Sequence, residues 1–66
     1  MHITLNGEPH ELPDGTTLQE LVSRLYPGGG RIAVEVNREI VPRSVHGATS
    51  LKPGDVVEIV HAIGGG

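Results

Sequence analysis

One short amphipathic helix restricts this chain to a fold in which a sheet covers a single apolar stripe. Four apolar residues spaced i, i+3, i+4 and i+7 share one face of the predicted helix: Leu18, Leu21, Val22 and Leu25. Thr17 is predicted to cap the helix, because Glu20 three residues later completes a capping box. A proline and three glycines at positions 27–30 end it.

The N-terminal residues predict a β-hairpin. Polar and apolar residues alternate from Met1 to Asn6, which is the period of a half-buried strand. The dipeptide Asn6-Gly7 is typical of a type I′ turn, in which both central residues need positive φ. Residues 8–12 should return as an antiparallel strand. We place this strand at the sheet edge, because Pro9 has no N–H to donate to a ladder.

The second half of the chain predicts three further strands. Residues 32–36 alternate as a third strand, residues 37–39 form a turn, and residues 40–41 form a short fourth strand. The final strand runs from residue 56 to about residue 62.

The segment between the fourth and the final strand is expected to be irregular from residue 43 to 50. Val45 and Leu51 are its predicted anchors to the core. Residues 52–55 fit a type II turn, because proline and glycine occupy its second and third positions.

This order of elements indicates an α+β fold with a mixed sheet of four to five strands and one helix packed across it. The final strand can then lie in the middle of the sheet, parallel to the first, as in the β-grasp (ubiquitin-like) arrangement. We expect residues 1–63 to form this single domain.

Composition excludes several classes of function. The chain has 66 residues, no cysteine and a net charge of −3, and its only aromatic residue besides histidine is Tyr26. Disulfides, thiolate metal sites and cysteine nucleophiles are therefore excluded. An acidic chain with few aromatics is a poor ligand for nucleic acid. Neither an apolar run of membrane-spanning length nor a signal peptide is present, so we expect a cytoplasmic protein.

The sequence ends in three glycines directly after the apolar end of the last predicted strand. Fixing each backbone residue costs roughly 1–2 kcal/mol, and glycine has no side chain whose burial could offset that cost. We therefore expect residues 64–66 to form a flexible tail that presents the main-chain carboxylate of Gly66. The alternative is a frayed terminus without a function.

Motifs along the whole chain resemble those of the ThiS family, the sulfur carriers of thiamine thiazole biosynthesis, which are related to ubiquitin. The matching segments are residues 1–6, 15–21, 36–37, 40–43, 54–55 and 65–66. The Val-Pro-Arg sequence after an asparagine-containing turn, together with the short length, is closer to this family than to the usually longer small subunits of molybdopterin synthase. Gly64 departs from the family pattern, which needs only the last two glycines.

The resemblance implies a carrier protein that is not itself an enzyme and binds no cofactor. An adenylyltransferase (ThiF-like) would activate the Gly66 carboxylate with ATP. A sulfur donor such as a cysteine desulfurase would then allow its conversion to a thiocarboxylate, and thiazole synthase (ThiG-like) would accept the sulfur. Gly64 and Gly65 would enter the partner's active site, since only glycine gives an unbranched peptide there.

Strand parity predicts a surface for docking these partners. If Val57 and Ile59 face the helix, Glu58, Val60 and Ala62 lie on the open face of the sheet, next to the tail. Arg43 is a further docking candidate, and the alternative is that it anchors its loop by hydrogen bonds to backbone carbonyls. His61 shares the parity of Ile59 and is expected to pack half-buried.

No catalytic or metal site is predicted within the chain. The acidic residues are spread out and form no paired constellation. The histidines at positions 2, 10, 46 and 61 lack the spacing of metal ligands. Three other functions remain open from the residues: a sulfur carrier for a molybdopterin-type or amino-acid pathway, a ubiquitin-like modifier of lysines, and a non-covalent interaction module.

Overall fold

The computed structural model describes residues 1–28 and 30–61. In this part of the chain five strands and one α-helix follow one another, with a 3-10 helix before the last strand. They are β1 (His2–Leu5), β2 (Glu8–Glu11), α1 (Leu18–Leu25), β3 (Ile32–Val36), β4 (Glu39–Ile40), the 3-10 helix (Arg43–Ala48) and β5 (Val56–His61).

The strands form one mixed sheet in the order β2-β1-β5-β3-β4. β5 lies in the middle, parallel to β1 and antiparallel to β3, and the other neighbouring pairs are antiparallel. β2 is an edge strand, as the proline at position 9 predicts. The predicted α+β class and β-grasp topology are therefore confirmed.

Two tight turns with positive φ join two of the antiparallel pairs, β1 with β2 and β3 with β4. Asn6 and Gly7 have φ of 49° and 82°, as the type I′ prediction requires. Asn37 and Arg38 have φ of 51° and 69° between β3 and β4. The second turn is one residue shorter than predicted, because Glu39 already pairs with Val36 as the start of β4.

Helix α1 begins and ends where its sequence signals predict. The Thr17 hydroxyl accepts a hydrogen bond from the Glu20 backbone N–H at 3.2 Å, and the Glu20 carboxylate accepts one from the Thr17 backbone N–H at 3.0 Å. This is the predicted capping box. The helix ends at Leu25 with Tyr26 as its C-cap, since the residue before Pro27 is restricted away from helical backbone angles.

The capping box gives a pH-dependent prediction for helix stability. The hydrogen bond from the Thr17 backbone, followed by that from its hydroxyl, lowers the pKa of the Glu20 carboxyl. Because the pKa of Glu20 is lowered in the folded state, the stability that these hydrogen bonds contribute is complete above the ordinary pKa of glutamate. It is lost as the pH falls through the folded-state pKa.

We expect Thr17→Ala to lower the free energy of unfolding by about 1 kcal/mol at neutral pH. It should also return the pKa of Glu20 toward its ordinary value. Urea unfolding and NMR titration of Glu20 measure the two effects, and Thr17→Ser, which keeps the hydroxyl, is the control. An alanine variant equal to the serine variant in both measurements would contradict this explanation.

The core lies between α1 and the sheet. Leu18, Val34 and Val57 are its most completely buried side chains, from the helix and two central strands. Leu21 and Val22 complete the buried face of the helix, but Leu25 is 40% exposed. The prediction for Leu25 was wrong, because it is the last helical residue and the next side chain, Tyr26, packs against the core instead.

The segment predicted to be irregular forms a 3-10 helix, and one of its predicted anchors is wrong. Val45 is 42% exposed, whereas His46 is buried with its Nε2 at 2.9 Å from the Val41 carbonyl oxygen. With three residues per turn, adjacent side chains point about 120° apart, so only one of the two can face the core. Leu51 is buried as predicted.

Candidate functional site

The candidate site is built on the central strand β5, which leads toward the terminal glycines. Residues Ile32–Val36 of β3 pair with Val57–His61 along one side of β5, and Thr4 and Leu5 of β1 pair with its other side. Val57 and Ile59 are buried, while Glu58 and Val60 are exposed, which confirms the predicted alternation. β3 therefore holds β5 along its whole C-terminal half, whereas β1 pairs only with its first two residues.

Two asparagine side chains extend the hydrogen bonding of β5 where its neighbours turn away. The Ile59 N–H donates to the Oδ1 atom of Asn6 at 2.8 Å, and the Val56 N–H donates to that of Asn37 at 3.0 Å. The Asn37 amide also donates to the carboxylate of Asp55 at 3.1 Å. Both asparagines adopt positive φ, so each supplies the turn geometry and an acceptor for β5.

The bond from Ile59 predicts that Asn6 stabilises β5 measurably. Asn6→Ala removes the acceptor and places alanine at positive φ, and we expect a loss of about 1–3 kcal/mol in the free energy of unfolding. Asn6→Asp keeps an acceptor oxygen and should retain most of the stability. Urea unfolding and hydrogen exchange at the Ile59 amide measure this. Unchanged exchange at that amide in the alanine variant would show that the bond contributes nothing.

The open face of the sheet carries exposed apolar side chains around a pair of carboxylates. Val60 is 59% exposed and lies opposite Ala33, and Val56 on the same strand face is 41% exposed. Glu58 lies directly opposite Glu35 of β3. The predicted docking residues Val60 and Glu58 are therefore placed together on one accessible surface, although their docking role stays a prediction.

The end of β5 contacts the end of α1 through an aromatic pair. The ring centroids of His61 and Tyr26 are 5.6 Å apart, with an angle of 31° between the ring planes. A Cβ atom at Gly30, which has φ of +108°, would lie 3.3 Å from the Nε2 atom of His61. His61 is exposed and not half-buried as predicted, because its ring contacts the outer side of Tyr26, which itself packs against the core.

Arg43 lies on a different part of the surface and has a structural contact. Its Nη1 atom donates to the Gly30 carbonyl oxygen at 3.4 Å, while the side chain remains exposed. This matches the alternative in which Arg43 anchors a loop to a backbone carbonyl. A docking role for Arg43 stays a prediction.

The described residues offer no arrangement for metal binding. Within residues 1–28 and 30–61, no group of three or more histidine, cysteine, aspartate or glutamate side chains is positioned to hold an ion. His46, the buried histidine, has its Nε2 atom on a backbone carbonyl. No helix in the same ranges is both long and apolar enough to span a membrane.

Comparison with known proteins assigns the chain to a family. The model of the ThiS family matches residues 3–66, nearly the whole sequence. The chain belongs to the ThiS family. This match runs through the terminal glycines as well as the sheet and helix, as the resemblance of the sequence motifs predicts.

Relatives of this ThiS family protein fall into two lengths. It is 34% identical over 65 residues to the sulfur carrier protein ThiS of Bacillus subtilis, covering 97% of this chain and 98% of that protein. It is 47% identical over all 66 of its residues to a thiazole synthase of Magnetococcus marinus, of which it spans 20%. A second thiazole synthase, from Paramagnetospirillum magneticum, is likewise matched over 20% of its length.

A solved structure of the ThiS family has the same fold. The crystal structure of the thiamine biosynthesis protein ThiS from Geobacter metallireducens superposes with a TM-score of 0.84 at 35% identity, and the match covers all of both chains.

Four of the predicted site residues lie outside the described residues. They are Ala62, predicted to dock partners, and the tail glycines Gly64, Gly65 and Gly66. The sulfur-carrying role of Gly66, the entry of the other two glycines into a partner's active site, and the division of the chain at residue 63 therefore stay predictions.

Sequence reasoning missed several residues of this ThiS family site. The asparagines at positions 6 and 37 were predicted only as turn residues, although their side chains bind β5. Glu35 and Ile40 were not assigned to the docking face. Extending the strand-parity argument from β5 to β3 would have placed Glu35 there, because Val34 between Ala33 and Glu35 faces the core.

Proposed function

We propose that this ThiS family protein carries sulfur for thiamine biosynthesis on the main-chain carboxylate of Gly66. The carboxylate attacks the α-phosphate of ATP in the active site of an adenylyltransferase, and pyrophosphate leaves. Hydrosulfide then attacks the acyl carbon, a C–S bond replaces the C–O bond to AMP, AMP leaves, and the terminal group becomes a thiocarboxylate. Thiazole synthase accepts this sulfur, and an oxygen from water or from the acceptor substrate takes its place on the acyl carbon, which regenerates the carboxylate.

One observation carries the proposal: the match to the ThiS family extends through residue 66 and includes the glycines on which the chemistry would occur. The relative from Bacillus subtilis that matches over nearly its whole length is a sulfur carrier protein. Its length is close to that of this chain, which supports a carrier role for the small domain by itself.

The proposed reaction needs no acid, base or nucleophile from the carrier's own side chains. A carboxylate reacts poorly with nucleophiles until one oxygen becomes a good leaving group, and adenylation by the partner supplies that group. Glycine at positions 64–66 gives the thinnest peptide for entry into a narrow site. The folded part contributes the sheet, whose central strand β5 precedes the terminal glycines in the sequence, and the open face as a surface for docking.

The sulfur acceptor is proposed from the longer relatives. Two thiazole synthases each match this whole chain over a fifth of their length, so their polypeptides contain a segment of this kind. A segment joined to the acceptor enzyme supports thiazole synthase as the acceptor for this chain. The adenylyltransferase and a sulfur donor such as a cysteine desulfurase are proposed from the ThiS resemblance, and they would supply the activation and the sulfur that the carboxylate needs.

Intact-mass measurement tests the proposal. The protein is incubated with ATP, sulfide and the ThiF-like adenylyltransferase, and we expect a gain of about 16 Da from exchange of one oxygen for sulfur. Omission of ATP is the control and should leave the mass unchanged. An unchanged mass in the complete reaction, or conjugates of higher mass linked to lysine, would contradict sulfur carriage and indicate an interaction module or a protein modifier.

A further inference from the structure

The open face of the sheet contains two carboxylates directly opposite each other on neighbouring strands. Glu35 of β3 pairs in register with Glu58 of β5, and Ile40 of β4 lies on the other side of Glu35. Residues directly opposite in an antiparallel pair have Cβ atoms about 4.5–5.5 Å apart. The three side chains therefore form one row across the sheet, with the acidic pair at its centre.

Neither carboxylate is neutralised by the rest of the described chain. Within residues 1–28 and 30–61, no lysine, arginine or histidine nitrogen forms an ion pair with Glu35 or Glu58. Arg38 lines the same depression as Glu58 and Val56, but it makes no such pair. Like charges directly opposite each other do not stabilise a sheet, so folding alone does not account for this pair.

Exposed apolar side chains surround the acidic pair. Val56 and Val60 flank Glu58 two residues away on each side along β5, and Ile40, opposite Glu35, is 73% exposed. Exposed apolar side chains grouped on one face in this way are suited to contact with another protein. Once covered, the two carboxylates would lose water, and burial of unpaired charge is strongly unfavourable. A partner must therefore supply a positive charge at the centre of the contact.

Arginine fits this position better than lysine. Its planar guanidinium has five N–H donors and can bind two carboxylates at once, and it is less strongly hydrated than an ammonium group. Its flat faces can also lie against the apolar side chains on either side of the pair.

We propose that the open face binds thiazole synthase through one arginine of that enzyme. The arginine lies between Glu35 and Glu58, and apolar side chains of the enzyme next to it contact Val56 and Val60. This inference rests on the proposed function, because it takes thiazole synthase as the sulfur acceptor. That enzyme is the occupant favoured here because the matched thiazole synthases contain a segment similar to this whole chain.

Binding of the full-length protein to thiazole synthase tests the proposal. We expect Glu58→Gln and Glu35→Gln each to raise the Kd about tenfold or more and to weaken its dependence on salt. Because one arginine contacts both carboxylates, the Kd of the double variant should rise by less than the product of the two increases seen in the single variants. The melting temperature should not fall, because each change removes repulsion.

Glu8→Gln is the matched control. It removes the same charge at the sheet edge, opposite the core residue Leu5, and should change the Kd by less than about twofold. Equal Kd values for Glu58→Gln and Glu8→Gln would overturn the inference. So would a double variant whose Kd increase equals the product of the two single increases. Absence of binding by the unchanged protein would overturn it as well.

The same preparations keep the two proposals distinct. The gain in mass with ATP, sulfide and the adenylyltransferase tests sulfur carriage without any contribution from thiazole synthase. If the unchanged protein gains sulfur while Glu58→Gln binds thiazole synthase as tightly as the control, only the arginine contact fails. If no sulfur is gained, the proposed function fails.

Discussion

Leu18→Ala is expected to remove about 2–5 kcal/mol of folding free energy, a large effect for this protein. Leu18 is fully buried at the start of α1, between the helix and the sheet. A chain of this length is stabilised by roughly 3–10 kcal/mol in total, so the variant should lose a large part of its stability. The shift of the urea midpoint measures this loss of stability, provided that the dependence of the unfolding free energy on urea concentration has the same slope in both proteins.

Leu25→Ala is the matched control for this prediction. It makes the same chemical change in the same helix, but at a side chain that is 40% exposed. Since less apolar surface is buried at this position than at Leu18, we expect a smaller cost, about 1 kcal/mol. Equal midpoints for the two variants would show that the stripe of α1 does not pack against the sheet as described.

Gly66→Val is expected to reduce thiocarboxylate formation by at least about 100-fold. A branched side chain next to the reacting carboxylate would displace it in the active site, where an error of about 1 Å can cost that factor. The melting temperature should stay unchanged, because the buried core found in residues 1–28 and 30–61 lies between positions 3 and 59. The rate of the mass gain with ATP, sulfide and the adenylyltransferase measures the effect.

Gly28→Val is the control for a glycine elsewhere in the chain. No atom lies within 4 Å of the position that a Cβ at Gly28 would take, so the larger side chain has room. This variant should acquire sulfur at the rate of the unchanged protein. A Gly66→Val variant that reacts as fast as Gly28→Val would exclude a narrow partner site around the terminal glycine.

The sequence was sufficient for the fold where local chemistry and tertiary packing agree. Thr17 and Glu20 cap the helix as the capping-box spacing requires, and Asn6-Gly7 adopts the positive φ that its turn type demands. Pro9 lies in an edge strand because it lacks a donor. In each case the determining interaction lies within a few residues of the signal.

The predictions were wrong or incomplete where packing between distant segments of the chain determines the position of a side chain. The choice of His46 over Val45 as a core anchor depends on the orientation of a 3-10 helix, and apolar character alone favours the wrong residue. The bond from Ile59 to Asn6 joins positions 53 apart in the chain. Likewise, Glu35 meets Glu58 only through the register of β3 and β5, which strand periodicity does not fix.

The most direct test of the account is the location of the acquired sulfur. Protein that has reacted with ATP, sulfide and the adenylyltransferase is fragmented in a mass spectrometer. We predict that the gain of about 16 Da occurs only in fragments that contain the carboxylate of Gly66. Sulfur on any other residue, or a natural polypeptide that continues past Gly66 without being trimmed, would contradict the central claim.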